Sequence, residues 1–477
     1  MNRIVIKRTT LVRSPSGACR AERKGSAYLA VIGTTLIVAT LAMGSLMSVK
    51  AQFRSARGAG DAAEAQLLAV SGIEMARLAI SKDVNWRSTY SNPGWQPEQT
   101  LSAGKYVSWQ VVDAGTGGSV LHAGVHPQGD TAPMRVFGKG RVADAVQIRS
   151  VEQTLTKVPF TAMFSALHAN GNVTLAAGIN RSLTVTDGPL TTNGSFSNWI
   201  NFAGNVEAQS IINSGSIFGM QTAPAIAKTV PADDVWNIYQ PLATTIPWNA
   251  AYFWYDSASL QWRPRTNILT PTMSQFATPV TNPNGVYYVA VPASVSRIQF
   301  DWVRVSGTIL FDCQGTGTTI HLGGRINWAP ARADYPMVII RNAKFAELDA
   351  QGTAAQFTLN EGTNNNAAGT ANYNPNGFPY GGVSDSDTID SIESELFGVI
   401  HVMGGVGGIP TTTTVCANLC TTGCILAPGP LICPEGSATP VDAALTWDSS
   451  LLSNPPLGYY KLSIQPSFGT WRQEILP

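Results

Sequence analysis

Charged side chains are scarce in this sequence. Asp, Glu, Lys and Arg make up 13% of its 477 residues, roughly half the ~25% of ordinary soluble domains. Catalytic signatures are missing too. There is no Gly-x-Ser-x-Gly elbow, Walker loop, dinucleotide fingerprint or His-Glu-x-x-His, so the chemistries those motifs carry have no support. Low charge does not mean disorder here, because 44% hydrophobic residues and 12 Trp can bury a large core. A coiled coil or helical bundle does not fit either, since 45 Gly and 29 Pro break helices at that density. What is left is a β-rich body whose polarity comes from hydroxyls and amides.

The net charge of +1 conceals an asymmetry. Residues 1–57 hold ten basic residues against one acid, Glu22, while the remaining 420 hold 21 basic and 29 acidic. Such a basic end points to a membrane or nucleic-acid contact there. One long uncharged run favours the membrane and no nucleic acid: Gly25–Val49, 25 residues. As a helix it spans ~37 Å, enough for a ~30 Å hydrocarbon core. The seven basic residues before it keep the N-terminus cytoplasmic and place the body across the membrane. A cleavable secretory signal is the competing reading, but its apolar region is normally only ~7–15 residues. From Ala51 to Ile80 there is no Pro, and Ala62, Ala65, Ala69, Ile73 and Ala76 recur at spacings of three and four. That predicts an amphipathic continuation, one helix over residues 26–82 of ~85 Å, weakened locally by Gly58, Gly60 and Gly72.

Arg23-Lys24-Gly25-Ser26, followed by an apolar helix that turns amphipathic near Ala51, resembles the class III signal of type IV pilins and type II secretion pseudopilins. The resemblance implies a basic leader (1–25) that a prepilin peptidase cuts after Gly25, leaving Ser26 as first residue. It implies a single-pass inner-membrane helix (Ser26 to Val49) and other pilin or pseudopilin subunits as partners. The family usually has Glu at the fifth mature position; here it is Ala30, as in K-type minor pseudopilins. Asp61 to Ala76 further resembles the N-terminal region of PilX-type pilus-assembly proteins.

Three strand-like runs follow, Lys105–Asp113, Met134–Val142 and Ala145–Lys157, the last two joined at Ala143-Asp144. They predict a small pilin-like antiparallel domain over 83–159. From Phe164 short β units recur with Asn-Gly or Gly-Asn punctuation, as at Asn170-Gly171, Asn193-Gly194 and Gly204-Asn205. This texture predicts a β-solenoid over 160–477, with a β-sandwich as alternative. Residues 224–282, rich in Pro, Trp and Tyr, read as an insertion. The fold class is therefore α+β, mainly β. Asn282-Pro-Asn-Gly285, Asn374-Pro-Asn-Gly377 and Phe397 to Val402 look like the long extracytoplasmic region of planctomycete-type PilX-like proteins.

Cys416, Cys420, Cys424 and Cys433 form a C-x3-C-x3-C-x8-C loop. Two local disulfides fit an exported Gly/Pro/Thr-rich segment; a metal site is the alternative, with no nearby His to support it. Asp385, Asp387, Asp390, Glu393 and Glu395 gather five carboxylates in eleven residues. The first three are calcium candidates, set against a solvated loop, because the EF-hand glycine and spacing are missing. His122 and His126 read as loop residues. The aromatics of Trp248–Trp262 could stack on sugars or pack in the core. No catalytic residue and no cofactor is expected. The chain reads as a structural or assembly subunit rather than an enzyme, with a surface adhesin or envelope protein and a β-helix enzyme acting on polysaccharide as alternatives.

Overall fold

The computed structural model describes residues 26–83, 86–91, 94–114, 121, 131–176, 181–349, 358–363, 371–404, 411–415, 420–433 and 441–474. The chain is mostly β, with a long apolar N-terminal helix and an antiparallel sheet. Helix α1 (Ser26–Lys82) runs for 57 residues. Spacings of three and four put Ala65, Ala69, Ile73, Ala76 and Ile80 on one face, and all five are fully buried. That face lies across an antiparallel sheet ordered β1 (Gln99–Ser102), β2 (Lys105–Asp113), β3 (Met134–Val142), β4 (Ala145–Pro159). The turn from β3 to β4 falls at Ala143 and Asp144, with Ala143 at φ +49°.

Glycine lets the helix come this close. Along β3 every second residue is buried: Met134, Val136, Gly138, Gly140 and Val142. A Cβ on Gly138 would stand 1.9 Å from the Ala69 carbonyl oxygen, and one on Gly140 2.0 Å from that of Ala65. Behind the helix end, buried Arg87 pairs with buried Asp113 and donates to the Ala132 carbonyl at 3.1 Å.

The sheet has a further member that the local sequence did not announce. Tyr460–Pro466 pairs antiparallel with the C-terminal half of β4, and Arg472–Glu474 with Ser150 to Ile148. Residues 460–474 therefore belong to the first sheet and not to the 160–477 body. They cover the edge that a 15-residue β4 would otherwise leave open.

Between these strands lies the body. Apart from the antiparallel pair Phe253–Asp256 and Gln261–Pro264, its strands pair in parallel, turn upon turn, in three ladders. One runs through Val173–Leu175, Ser195–Asn198 and Ser210–Asn213. The other two meet at corners where glycine is required. Gly204, Gly398 and Gly423 have φ of +145°, +103° and +152°, and a Cβ on Gly423 would stand 2.0 Å from the Gly398 carbonyl oxygen one rung below. Parallel stacking excludes the β-sandwich, which is built from antiparallel sheets.

The order of stacking departs from the order of the chain. From Leu167 the rungs proceed outward to Gln221–Thr222 at one end. Residues 224–282, read as an insertion, cross to the opposite end and supply strands Thr244–Thr245, Phe253–Asp256, Gln261–Pro264 and Ile268–Leu269 there. From Val286 the chain winds back, until Cys420–Ala427, Leu431–Cys433 and Val441–Trp447 dock on Leu167–Ala169, Val173–Leu175 and Arg181–Thr186. The last turn thus closes on the first.

Inside the ladders runs one apolar core that includes Phe196, Phe202, Phe300, Phe311 and Trp328. Outside, the short helix Val235–Tyr239 lays Trp236 and Tyr239 over Val286, Leu310 and Ile339. Covered on both faces, Thr308–Cys313 is buried at all six positions, as expected of a doubly covered parallel strand. A separate lobe, residues 358–363 and 371–393, packs around Leu359, Ala371, Tyr373 and Ile392. Buried Arg304 holds it, donating to the carbonyls of Tyr373 (2.9 Å), Phe378 (2.8 Å) and Pro379 (2.7 Å).

Candidate functional site

Three places on this frame carry chemistry that packing alone does not explain. The first is the N-terminal half of α1. Tyr28, Leu29, Ile37, Leu41, Leu46 and Phe53 are exposed on all sides of the helix, Phe53 by 73%. Each such side chain left in water forgoes roughly 1.5–3 kcal/mol of transfer free energy. The threonine hydroxyls of this half are satisfied within it: Thr34, Thr35 and Thr40 donate to the carbonyls of Ala30, Val31 and Leu36 at 2.9, 2.8 and 3.0 Å. These hydroxyls need no water. The helix is long and apolar enough to cross a membrane. Ser26 opens it, whereas Gly25 lies outside the described residues.

The second place is a polar cleft of 580 Å³ on the outer side of one ladder. Successive rungs align Gln299 with His321 and Glu347, which stacks polar side chains along one face. Arg297 bridges them, contacting His321 Nδ1 at 2.8 Å, Glu347 at 2.6 Å and Gln261 Oε1 at 3.2 Å. Arg263 pairs with both Asp301 and Asp256. Burial pushes the Asp301 carboxyl up to about 6, against the pull of Arg263. The Ser259 hydroxyl, with backbone N–H groups and Arg263 assisting, holds Asp256 below the usual range. Trp254 and Trp302 complete the walls. The other aromatics of Trp248–Trp262 mostly pack: Trp248 stacks on Phe253 at 4.3 Å and meets Trp262 at 5.5 Å.

The third place is the acidic lobe. The antiparallel pair Thr358–Asn360 and Ser391–Glu393 brings Glu361 beside the acidic run. One oxygen each from Glu361, Asp387 and Asp390 lies within 4.8 Å of the others. Asp385 turns instead toward two amides, accepting from Asn372 Nδ2 at 3.4 Å and Asn374 Nδ2 at 3.5 Å. Glu395 lies elsewhere and accepts from the Thr422 hydroxyl at 2.7 Å. Glu361 was invisible to sequence reasoning, because it stands more than twenty residues from the run it joins.

The cysteines require a correction. Cys424 is a free thiol, fully buried, its Sγ 3.8 Å from the Ala162 carbonyl oxygen, and burial pushes its pKa up. Cys420 opens the same strand; four residues of strand span ~13 Å, beyond the ~7 Å Cα reach of a disulfide. Cys416 and the side chains of Cys420 and Cys433 lie outside the described residues. Two local bridges need all four thiols, and Cys424 faces the core instead. Among the described residues there is no disulfide. Buried Cys313, also free, is pushed up to about 12 by burial. His122, His126 and Cys19 lie outside the described residues.

Comparison with known proteins adds little. No protein-family description matches the chain, and no curated protein does. Among solved structures it is similar to the competence-associated pilin ComZ from Thermus thermophilus, at 10% identity and a TM-score of 0.31, over 87% of this chain and 98% of that one.

Proposed function

We propose that this chain is a minor pilin-like structural and assembly subunit of a type IV pilus or type II-like secretion system, carrying a β-solenoid body. The observation behind this reading is the division of α1. Its first half is apolar all round and exposed, while its second half is bound into an antiparallel sheet. A helix so divided is held in a bilayer by one half and carries a folded domain with the other. The apolar half can later exchange lipid for the helices of other pilin subunits, with Gly33, Ala42 and Gly44 permitting close approach. The three parallel ladders support the solenoid, a stiff body suited to display in the periplasm or outside the cell.

In this reading Arg23-Lys24-Gly25-Ser26 is the processing site, and a prepilin peptidase releases the PilX-like mature chain from its inner-membrane precursor. Loss of residues 1–25 removes seven basic groups and one acid, so the mature charge is −5. In this reading the subunit is structural rather than enzymatic, and Arg263 pairs with both carboxylates of the polar cleft. Breakdown of a polysaccharide by the purified chain would overturn that part. Intact mass and N-terminal sequencing of the chain extracted from membranes test the whole. We expect a start at Ser26, and retention of the leader in Gly25→Val. An intact Met1 in the unaltered chain would reduce α1 to a plain anchor.

A further inference from the structure

On one ladder the body turns polar side chains outward in register. Within Arg297–Phe300, Ile298 and Phe300 belong to the core, so alternation sends Arg297 and Gln299 to the outer face. The next rung repeats this, with Ile320 and Leu322 inside and His321 beside Gln299. On the other side Trp262 pairs with Ile298, which sets Gln261 and Arg263 on that same face. These side chains line the 580 Å³ cleft, a volume within the ~300–1,000 Å³ of small-ligand sites.

The charges of this cleft are matched among themselves. Arg263 pairs with Asp256 and Asp301, and Arg297 with Glu347. Arg325 adds its own attraction to Asp301 and lies 4.0 Å above the Trp302 ring. An anion therefore finds its guanidinium groups already paired, and a cation finds the carboxylates likewise engaged. The polar lining equally disfavours a lipid-like ligand.

Two further residues do not fit a merely structural cleft. Gln299 is 6% exposed. Among the described residues its amide has no hydrogen-bond partner, yet it is not sealed in the interior; it opens on the cleft that it lines. A buried amide with donors and an acceptor left over is uncommon. Trp302 turns the corner after Phe300 at φ +53°, whereas on the next rung a glycine, Gly324 at φ +81°, turns it. A bulky residue at positive φ is an outlier, and such residues cluster at ligand sites. The Tyr373 hydroxyl holds this one in place, donating to the Trp302 carbonyl at 2.9 Å.

We propose that the cleft binds a neutral saccharide. Gln299 supplies the free donor and acceptor, and Trp254 and Trp302 supply apolar walls. A sugar ring is the ligand that matches both, because its hydroxyls donate and accept while its C–H faces pack on indole. A charged glycan has no unmatched group to meet. The site is for binding rather than cleavage, and it goes beyond the pilin reading without resting on it.

Isothermal titration of the full chain in detergent tests this, with maltotetraose, cellotetraose and chitotetraose as neutral probes and tetragalacturonate as the anionic control. We expect saturable binding of at least one neutral probe and none of the control. Gln299→Leu keeps the side chain's size and removes its amide, so it should weaken binding by about tenfold at an unchanged melting temperature. Trp302→Gly relieves the backbone at its positive φ and removes one wall; it should weaken binding by about tenfold or more. No saturable binding of any neutral probe at about 10 mM would overturn the proposal. So would equal affinity for the control, or unchanged affinity in either variant.

Discussion

Two buried histidines set much of the pH response of the body. His168 and His401 are both pushed down to about 4, chiefly by burial. The hydroxyl of Thr191 faces His168 Nδ1 at 2.8 Å, with Lys228 adding repulsion; Tyr459 OH faces His401 Nδ1 at 3.0 Å. Between the unfolded value near ~6.5 and the folded value, the unfolded chain binds more protons. The stability each histidine contributes is therefore complete above pH 6.5 and is lost as pH falls toward 4. Asp301 acts in the opposite sense. Its carboxyl, raised to about 6, holds its proton better in the folded state, so stability falls as pH rises from ~4 to 6. The two histidines outweigh it. Stability should decline on acidification from pH 6.5, at about 1.4 kcal/mol per unit for each histidine. In His168→Gln/His401→Gln, chemical denaturation across pH 4–7 should show a markedly shallower slope. An unchanged slope would place the proton uptake elsewhere.

At the scale of elements, the contact between α1 and β3 tolerates little change. The helix backbone lies directly on Gly138 and Gly140, with Ala65 and Ala69 above them. The nearest atoms are helix backbone, which cannot swing aside as a side chain can, so an added carbon must push the helix away. Gly138→Val should cost about 2–3 kcal/mol of the stability of the first domain. Limited proteolysis should then cut within the second half of α1, between Arg57 and Lys82, where the unaltered chain resists. Resistance equal to that of the unaltered chain would mean that the sheet can shift without loss. The corner glycines follow the same logic. At Gly423 the carbonyl of Gly398 on the neighbouring rung leaves no room for a Cβ, and at Gly398 the positive φ itself disfavours one, so they punctuate the ladders where the sequence reads merely as loop.

At the scale of the molecule, segments far apart in the sequence are tied together. Arg77 donates to the Ile464 carbonyl at 2.6 Å, and Tyr239 OH to that of Leu457 at 2.8 Å. The C-terminal strands complete the first sheet while the last turns of the body close on its first turns. Removal of residues 460–477 should therefore damage the domain most distant in sequence. It bares the edge of β4, an invitation to pair with another chain. We expect the truncated protein, measured by light scattering after chromatography in detergent, to self-associate and to melt earlier. A truncated chain with the mass and melting temperature of the full chain would show that the first sheet closes without its C-terminal strands. The closed stacking also predicts slow folding, since its pairings join residues hundreds of positions apart.

What could be read in the sequence was local. The uncharged stretch after Gly25, its amphipathic continuation through Ala65, Ala69 and Ile73, and the turn-punctuated β texture beyond Phe164 each arise within a few dozen residues. Periodicity and composition register at that range. The meeting of Glu361 with Asp387 and Asp390, the return of Tyr460–Pro466 to β4, and the docking of Cys420–Ala427 on Leu167–Ala169 left no such mark. Nor did the burial of Cys424, which turned a reading of two bridges into a packed core thiol. Hydrogen-bonding edges and apolar faces are alike from one strand to the next, so a strand's own residues do not name its neighbour. The choice falls to the folded chain as a whole, where strand pairing and the burial of apolar faces are decided together.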